Sequence, residues 1–215
     1  MSSIVVLVGA SGVGKTSIAA EILSKNAGFR LIRSATTRAP RGDGHDGEYI
    51  YFTKEEFRAL IEKGELLEYM NYGGNFYGTP VSEIKLAFED GKTPLLILDI
   101  EGVKSLKSRS FDFSVFVCYI YDDINVIEKR LYERELLNNP TVSALESFMK
   151  RKEANRRDYL MLPEISDKFD AFVKNEQIAE AADAILSLHS EFLLGKKKSH
   201  EENQKIAEEL KLSVK

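Results

Sequence analysis

The chain has 215 residues, 43% hydrophobic and 30% charged, which fits one domain of ordinary size or a core with small insertions and excludes wholesale disorder. Thirty Lys and Arg against 34 Asp and Glu leave a net charge of −4, a poor basis for general binding to nucleic acid or to an anionic membrane. No apolar run approaches the ~20 residues of a membrane span, and residues 4–8 are too short and lack the cationic lead of a signal peptide, so the expectation is a soluble, cytoplasmic protein.

In chain order, residues 4–8 (IVVLV) read as a strand buried on both faces, and residues 15–25 as a helix with Ile18, Ile22 and Leu23 at helical spacing. Residues 29–80 hold short, aromatic, glycine-punctuated pieces that predict a small antiparallel insertion. One helix lies within it, opened by a capping box of Thr53 and Glu56 and closed near Gly64. Residues 95–100 (LLILDI) and 114–120 read as two further buried strands. The lone cysteine, Cys118, sits in the second; it excludes an intrachain disulfide and reads as a small buried hydrophobe in a reducing compartment. Residues 122–137 predict a helix capped by Asp122 or Asp123, with Ile124, Ile127 and Leu131 on one face. Residues 134–162 are polar and arginine-rich and suggest a mobile helical flap. A short strand at 169–173 and a helix at 176–193, striped by Ile178, Ala182, Ile185, His189 and Phe192, complete the pattern. The tail from Gly195 predicts a frayed or loosely held helix. The alternation argues α/β: a P-loop-type parallel sheet flanked by helices, with a small mixed α+β insertion and a helical lid.

Residues 9–16, GASGVGKT, match G-x-x-x-x-G-K-[ST] between a strand and a helix. Gly9, Ala10, Ser11, Gly12, Val13 and Gly14 would turn successive N–H groups around a phosphate, at a helix N-terminus that favours anions. Lys15 would reach the terminal phosphates, and Thr16 would offer a hydroxyl to Mg²⁺. The chain therefore reads as a binder of a nucleoside triphosphate. In an acidic protein, residues 28–42 hold Arg30, Arg33, Arg38 and Arg41 and no acid, a composition suited to a second phosphate. Tyr49 and Tyr77 could complete that cradle. Glu68, set between apolar residues in LLEYM, would need hydrogen-bond donors, which the N–H edge of a nucleobase supplies.

The segment SATTRAPRGDGHDGEYIYFTKEEF, with GELLEYMNYGGNFYGTP after it, resembles the acceptor-binding region of guanylate kinases, and the phosphate loop and ILDIEGVKSLK are similar to the same family. The resemblance spans roughly residues 3–190. It implies a five-stranded P-loop core, a nucleoside-monophosphate-binding insertion and a lid, and the reaction of ATP with GMP or dGMP, with Mg²⁺, to give ADP and the diphosphate. By resemblance, Arg38, Arg41, Tyr49 and Tyr77 hold the GMP phosphate, and Ser34, Glu68 and Thr79 read guanine. Asp99 stands beside Mg²⁺ and the phosphates, and Glu101 falls where the family has a second guanine-contacting carboxylate. The chemistry agrees: carboxylates accept from guanine N1–H and its amino group, and hydroxyls donate to O6. Arg134 and Arg151 match the lid arginines, and Asn175 an asparagine near the nucleotide base. The implied division is a core of residues 1–33, 81–128 and 164–194, an insertion at 34–80, a lid at 129–163 and a tail at 195–215.

Three departures accompany the resemblance. The loop before Tyr49 is one residue short, which selects Tyr49 over Tyr51 only through a gap. DIEGVKSLK lacks two residues of D-x-D-x-Q-G-V-K. The lid is about six residues long beyond the usual and lacks R-G-T-E. Two other readings stay open: a peptide-binding scaffold module of guanylate-kinase type, and a P-loop kinase for another small phosphorylated acceptor. His45, His189 and His200 read as surface or boundary residues, and no zinc cluster or Ser-His-Asp set is present in the pattern. The sequence leaves the oligomeric state open and points to small-molecule substrates, with neither nucleic acid nor membrane as partner.

Overall fold

The computed structural model describes residues 2–40, 47, 49–137, 140–196 and 199–214. In chain order these form β1 (Ser3–Gly9), α1 (Lys15–Lys25), β2 (Phe29–Leu31), β3 (Ser34–Thr36), β4 (Tyr49–Tyr51), α2 (Lys54–Glu62), β5 (Leu66–Tyr72), β6 (Asn75–Pro80), α3 (Val81–Glu89), β7 (Thr93–Ile97) and α4 (Ile100–Lys107). There follow β8 (Ser114–Tyr121), α5 (Ile124–Tyr132), a π-helical turn (Glu133–Leu137), α6 (Val142–Ile165), a 3₁₀ turn (Ser166–Lys168), β9 (Ala171–Lys174), α7 (Ile178–Leu193) and α8 (His200–Ser213). Two compact units result, Met1–Val6 with Leu23–Val115, and Leu7–Ile22 with Phe116–Lys215. One sheet has the strand order β2-β7-β1-β8-β9, in which the β2–β7 and β8–β9 pairs are parallel. Ile4 to Val8 are fully buried along β1, as a continuous apolar run in a doubly covered parallel sheet should be.

In the first unit a second sheet runs β4-β3-β6-β5. β6 is antiparallel to both β3 and β5, but β4 joins β3 in parallel, with Ser34 opposite Tyr49. The insertion is therefore mixed rather than antiparallel. The connection over residues 37–48 is long enough for the crossover that a parallel pair requires. The capping box is present: Thr53 Oγ1 accepts from Glu56 N, and Glu56 Oε2 accepts from Thr53 N at 2.7 Å. α2 places Phe57 in a small core with Ala35 and Leu66, its ring stacked 5.4 Å from Phe76. Thr36 and Thr37 staple β3 to β6, Thr36 Oγ1 donating to Phe76 O and Thr37 Oγ1 accepting from Phe76 N. β7 ends at Ile97, short of the sequence reading, because Asp99 turns the chain as N-cap of α4, its Oδ1 accepting from Gly102 N.

In the second unit, α5 buries Ile124, Ile127 and Leu131 as read, with Asp123 as its cap. The helix does not continue regularly to residue 137. It widens into the π turn, and the five-residue step from Leu131 to Leu136 keeps an apolar residue on the buried side. His189 is also buried, 5.7 Å from the Phe116 ring, and burial lowers its pKa below the ordinary value, so it is a core residue rather than a surface one. Cys118 is buried, and no helix is long and apolar enough to cross a membrane among the described residues.

The tail departs most from its sequence reading. α8 is a formed helix that packs on α6, capped by Ser199, with Asn203, Ala207, Leu210 and Val214 buried. Asn203 Nδ2 donates to Phe169 O at 3.0 Å. The buried positions recur at helical spacing, but two of the four are small or polar, so hydropathy alone hides the stripe. Leu210→Ala should lower stability by about 2 kcal/mol or more, read by urea unfolding; a loosely held tail would give no change.

Candidate active site

The phosphate loop joins β1 to α1 within the second unit. Gly9, Gly12 and Gly14 have φ of 149°, 90° and 101°, conformations that L side chains rarely adopt. Space forbids a side chain as well: a Cβ on Gly9 would stand 2.2 Å from Ile120 O, and one on Gly14 2.4 Å from Asn175 Nδ2. Lys15 Nζ donates to Gly9 O at 2.7 Å and to Ala10 O at 2.9 Å, so its ammonium lies over the start of the loop. Asn175 is buried after β9, and its Nδ2 donates to Val13 O at 2.7 Å. That contact makes it a support for the loop, whatever its relation to a base. A cavity of about 620 Å³ opens over the loop, lined by Ser11, Gly12, Gly14, Lys15, Thr16, Ser17, Arg130, Arg134 and Asn175 to Ile178.

Arg130, which the sequence reading passed over, reaches this cavity. It pairs with buried Asp122 at 3.0 Å and donates to Asn175 O at 3.4 Å. Its signal was the four-residue step to Arg134 along one helix face. Arg134 and Arg151 meet at one carboxylate. Glu135 Oε1 accepts from Arg134 Nε and Nη2 at 3.1 and 2.8 Å, and Arg151 Nε lies 3.6 Å away. Burial alone would raise the Glu135 pKa, but the hydrogen bond from Arg134 and the charges of both arginines hold it below the ordinary value. Arg151 also donates to Ser11 Oγ at 3.1 Å. Its neighbours Lys152 and Arg156 are instead taken up by Glu128, at 2.8 and 3.1 Å.

Of the residues read as acceptor ligands, Ser34, Tyr49, Glu68, Tyr77 and Thr79 lie on the second sheet of the first unit and Arg38 just after its strand β3. Arg38 follows β3, and its guanidinium lies 5.1 Å from the centre of the Tyr49 ring, which is 6.4 Å from that of Tyr77. Tyr49, not Tyr51, is the ring beneath Arg38. Arg38 Nε is buried and has no hydrogen-bond partner among the described residues, a donor set for an incoming acceptor atom. Arg41 and His45 lie outside the described residues. Two other arginines of the basic run serve elsewhere: Arg30 pairs with Asp90 at 2.5 Å and Arg33 with Glu83 at 3.2 Å. Both acids come from the α3 region, so two of the four arginines in an acid-free stretch of sequence find acids in three dimensions.

Glu68 on β5 and Thr79 on β6 are buried, and Thr79 Oγ1 donates to Glu68 Oε1 at 2.8 Å. Ser34 is half-buried at the start of β3. Glu101 does not join them. α4 starts directly after Asp99, Glu101 falls in its first turn, and its exposed carboxylate pairs with Lys104 at 2.7 Å. The residue beside Glu68 is Gly102, on which a Cβ would lie 3.3 Å from Glu68 Oε2 and 3.3 Å from Asp99 Oδ1. Asp99 itself is exposed, with Oδ1 engaged in the helix cap. Among the described residues no group of three or more His, Cys, Asp or Glu is placed to hold a metal ion by itself.

Burial pushes the Glu68 pKa from an ordinary 4.5 to about 7, opposed by the Thr79 hydrogen bond and assisted by the nearby charge of Asp99. Through that window the folded protein holds a proton that the unfolded chain has released, so stability falls as pH rises. Glu68→Gln should flatten this part of the curve, measured by urea unfolding along a pH series. Equal slopes for the two proteins would mean that the Glu68 carboxylate ionises as it does in water.

The Guanylate kinase family model matches residues 1–191. The chain is similar to a guanylate kinase of Prochlorococcus marinus (strain MIT 9312), 34% identical over 186 residues that cover 86% of this chain and 95% of that one. A guanylate kinase of Lactobacillus johnsonii is 32% identical over 187 residues, 86% of each chain. The crystal structure of guanylate kinase from Anaplasma phagocytophilum matches at 25% identity with a TM-score of 0.58, over 88% of this chain and 86% of that one. With a phosphate loop in strand–helix context, an arginine–tyrosine cluster on a separate small sheet and likeness along most of its length, the chain belongs to the guanylate kinase family.

Proposed function

We propose that this chain transfers the γ-phosphoryl group of ATP to GMP, and to dGMP, giving ADP and the nucleoside diphosphate. The observation that carries the acceptor half is the buried Arg38 Nε, without a hydrogen-bond partner among the described residues, beside Tyr49 and Tyr77. In this reading Arg38 and Arg41 grip the acceptor phosphate, and the phenols of Tyr49 and Tyr77 complete the cradle. Ser34, Glu68 and Thr79 face the guanine edge, where Glu68, ionised on binding, accepts from N–H donors that offset its burial. Glu101, tied to Lys104, is left out of that set. The insertion at 34–80 is the acceptor module and 129–163 the lid.

On the donor side, the backbone of Gly9 to Gly14 wraps the phosphates. Lys15 leaves the Gly9 and Ala10 carbonyls for the terminal phosphates, since an ammonium gains more from a polyanion than from two neutral carbonyls. Arg134 and Arg151 turn from Glu135 to the triphosphate, neutralise charge that develops in transfer and exclude water. Mg²⁺ bound with ATP supplies further neutralisation of the phosphate oxygens. The Thr16 hydroxyl and the Asp99 carboxylate are the groups that would hold it, and a metal arriving on the triphosphate needs no ready-made cage of protein ligands. No covalent intermediate is needed: an acceptor phosphate oxygen attacks the γ-phosphorus in line. A single buried cysteine suits the reducing cytoplasm.

A specific observation favours a second acceptor reading: withdrawal of Glu101 leaves one carboxylate where two were expected at the base. A coupled ADP-release assay across GMP, AMP, UMP and CMP tests both. GMP should lead the others by on the order of 10⁴ in kcat/KM. Turnover of AMP alone would overturn the guanine assignment, and none with any acceptor would leave a scaffold module. Lys15→Ala should lower kcat/KM by on the order of 10²–10³ and abolish thermal stabilisation by ATP.

A further inference from the structure

The middle of α6 carries an asparagine that the motifs do not mark. Asn155 is 1% exposed, and both ends of its amide are used on one residue of the phosphate loop. Its Oδ1 accepts from Ser11 N at 2.8 Å, and its Nδ2 donates to Ser11 O at 2.9 Å. One turn earlier on the same helix, Arg151 donates to the Ser11 hydroxyl. Ser11 stands at one of the unspecified positions of G-x-x-x-x-G-K-[ST], yet three hydrogen bonds from one helix converge on it. A buried side-chain amide is unfavourable unless its donor and acceptor are both met. Here each meets the main chain of the loop, in the reciprocal manner of a paired strand residue.

The loop can hold a polyanion tightly only if its backbone is already in the required form, because ordering it on binding would subtract from affinity. Asn175 fixes its far part through Val13 and Lys15 holds the carbonyls of Gly9 and Ala10, while the main chain of Ser11 between them is held by Asn155. We propose that Asn155 is a positioning residue for the donor nucleotide: it anchors the phosphate loop at Ser11 and ties the loop's shape to the placement of α6. The tie extends further, because α6 is packed in turn by α8, which lies beyond the residues 1–191 matched by the family model. This rests on the reading of the loop as the ATP site and adds to it a residue that touches no substrate. Asn155 acts through Ser11, and its effect is confined to the donor side.

The test uses the full chain with Asn155→Ala and the equal-sized Asn155→Asp, which keeps an acceptor for Ser11 N but loses the donor and sets a carboxylate against the Ser11 carbonyl. With ATP and GMP varied separately, the KM for ATP should rise about tenfold in Asn155→Ala and further in Asn155→Asp, while the KM for GMP stays within about twofold. ADP titrated by calorimetry should show the same loss of affinity, and this reading decides the matter on Asn155→Asp if Asn155→Ala does not fold. Lower melting temperatures with unchanged KM and ADP affinity would make Asn155 a core residue only and overturn the proposal. An equal rise in both KM values would overturn it too, since the effect would not be on the loop. Failure of the parent chain to bind ADP is a separate result: it removes the nucleotide reading of the loop, and the role of Asn155 with it.

Discussion

A loop that turns its amide hydrogens toward a ligand leaves carbonyls pointing elsewhere, and buried carbonyls without donors are unfavourable. The architecture of the second unit follows from meeting that demand. Lys15 caps the carbonyls of Gly9 and Ala10, Asn155 that of Ser11, and Asn175 that of Val13. Three different segments, the first turn of α1, the centre of α6 and the end of β9, are thereby committed to one short turn. The close approach of Ile120 O to Gly9 adds a fourth, through β8. Glycine permits the conformation, but its neighbours hold it in place.

The second theme is how an acidic chain keeps cations for use. Arg30, Arg33, Lys152 and Arg156 are each taken up by a nearby acid. Pairs of this partly exposed kind add little stability. Arg38 is treated differently. Its cation rests on an aromatic face, and its Nε keeps hydrogen-bonding capacity that no protein group uses among the described residues. Glu68 is the matching acid, a carboxyl group whose burial with one hydroxyl for company favours its protonated form.

Much of this was legible in the sequence, for reasons that can be named. The β1 run, the glycines and Lys15 form a local pattern whose geometry hardly depends on the remainder of the chain, so strand, loop and helix fall where the motif puts them. The capping box at Thr53 is local in the same way. What failed was non-local. The partners of Arg30 and Arg33 lie 60 and 50 residues away, and no composition window sees them. β4 pairs in parallel across a long connection, and Asn155 meets Ser11 across 144 residues. Glu101 is a different case: its residue type suits the base, but it stands in the first turn of α4 within reach of Lys104, an i,i+3 pairing that depends on where the helix starts. The α8 stripe was missed because Asn203 and Ala207 carry little hydropathy, although their spacing is that of a buried face.

The π turn at Glu133–Leu137 gives Arg134 and Arg151 a shared tenant, Glu135. Glu135 stands for them as a built-in anion while no nucleotide is present. On the proposed function, exchange of Glu135 for a triphosphate makes engagement closer to a swap than to a pure gain. On the same reading the return would be kinetic: Glu135 stands ready to receive both guanidinium groups when product departs.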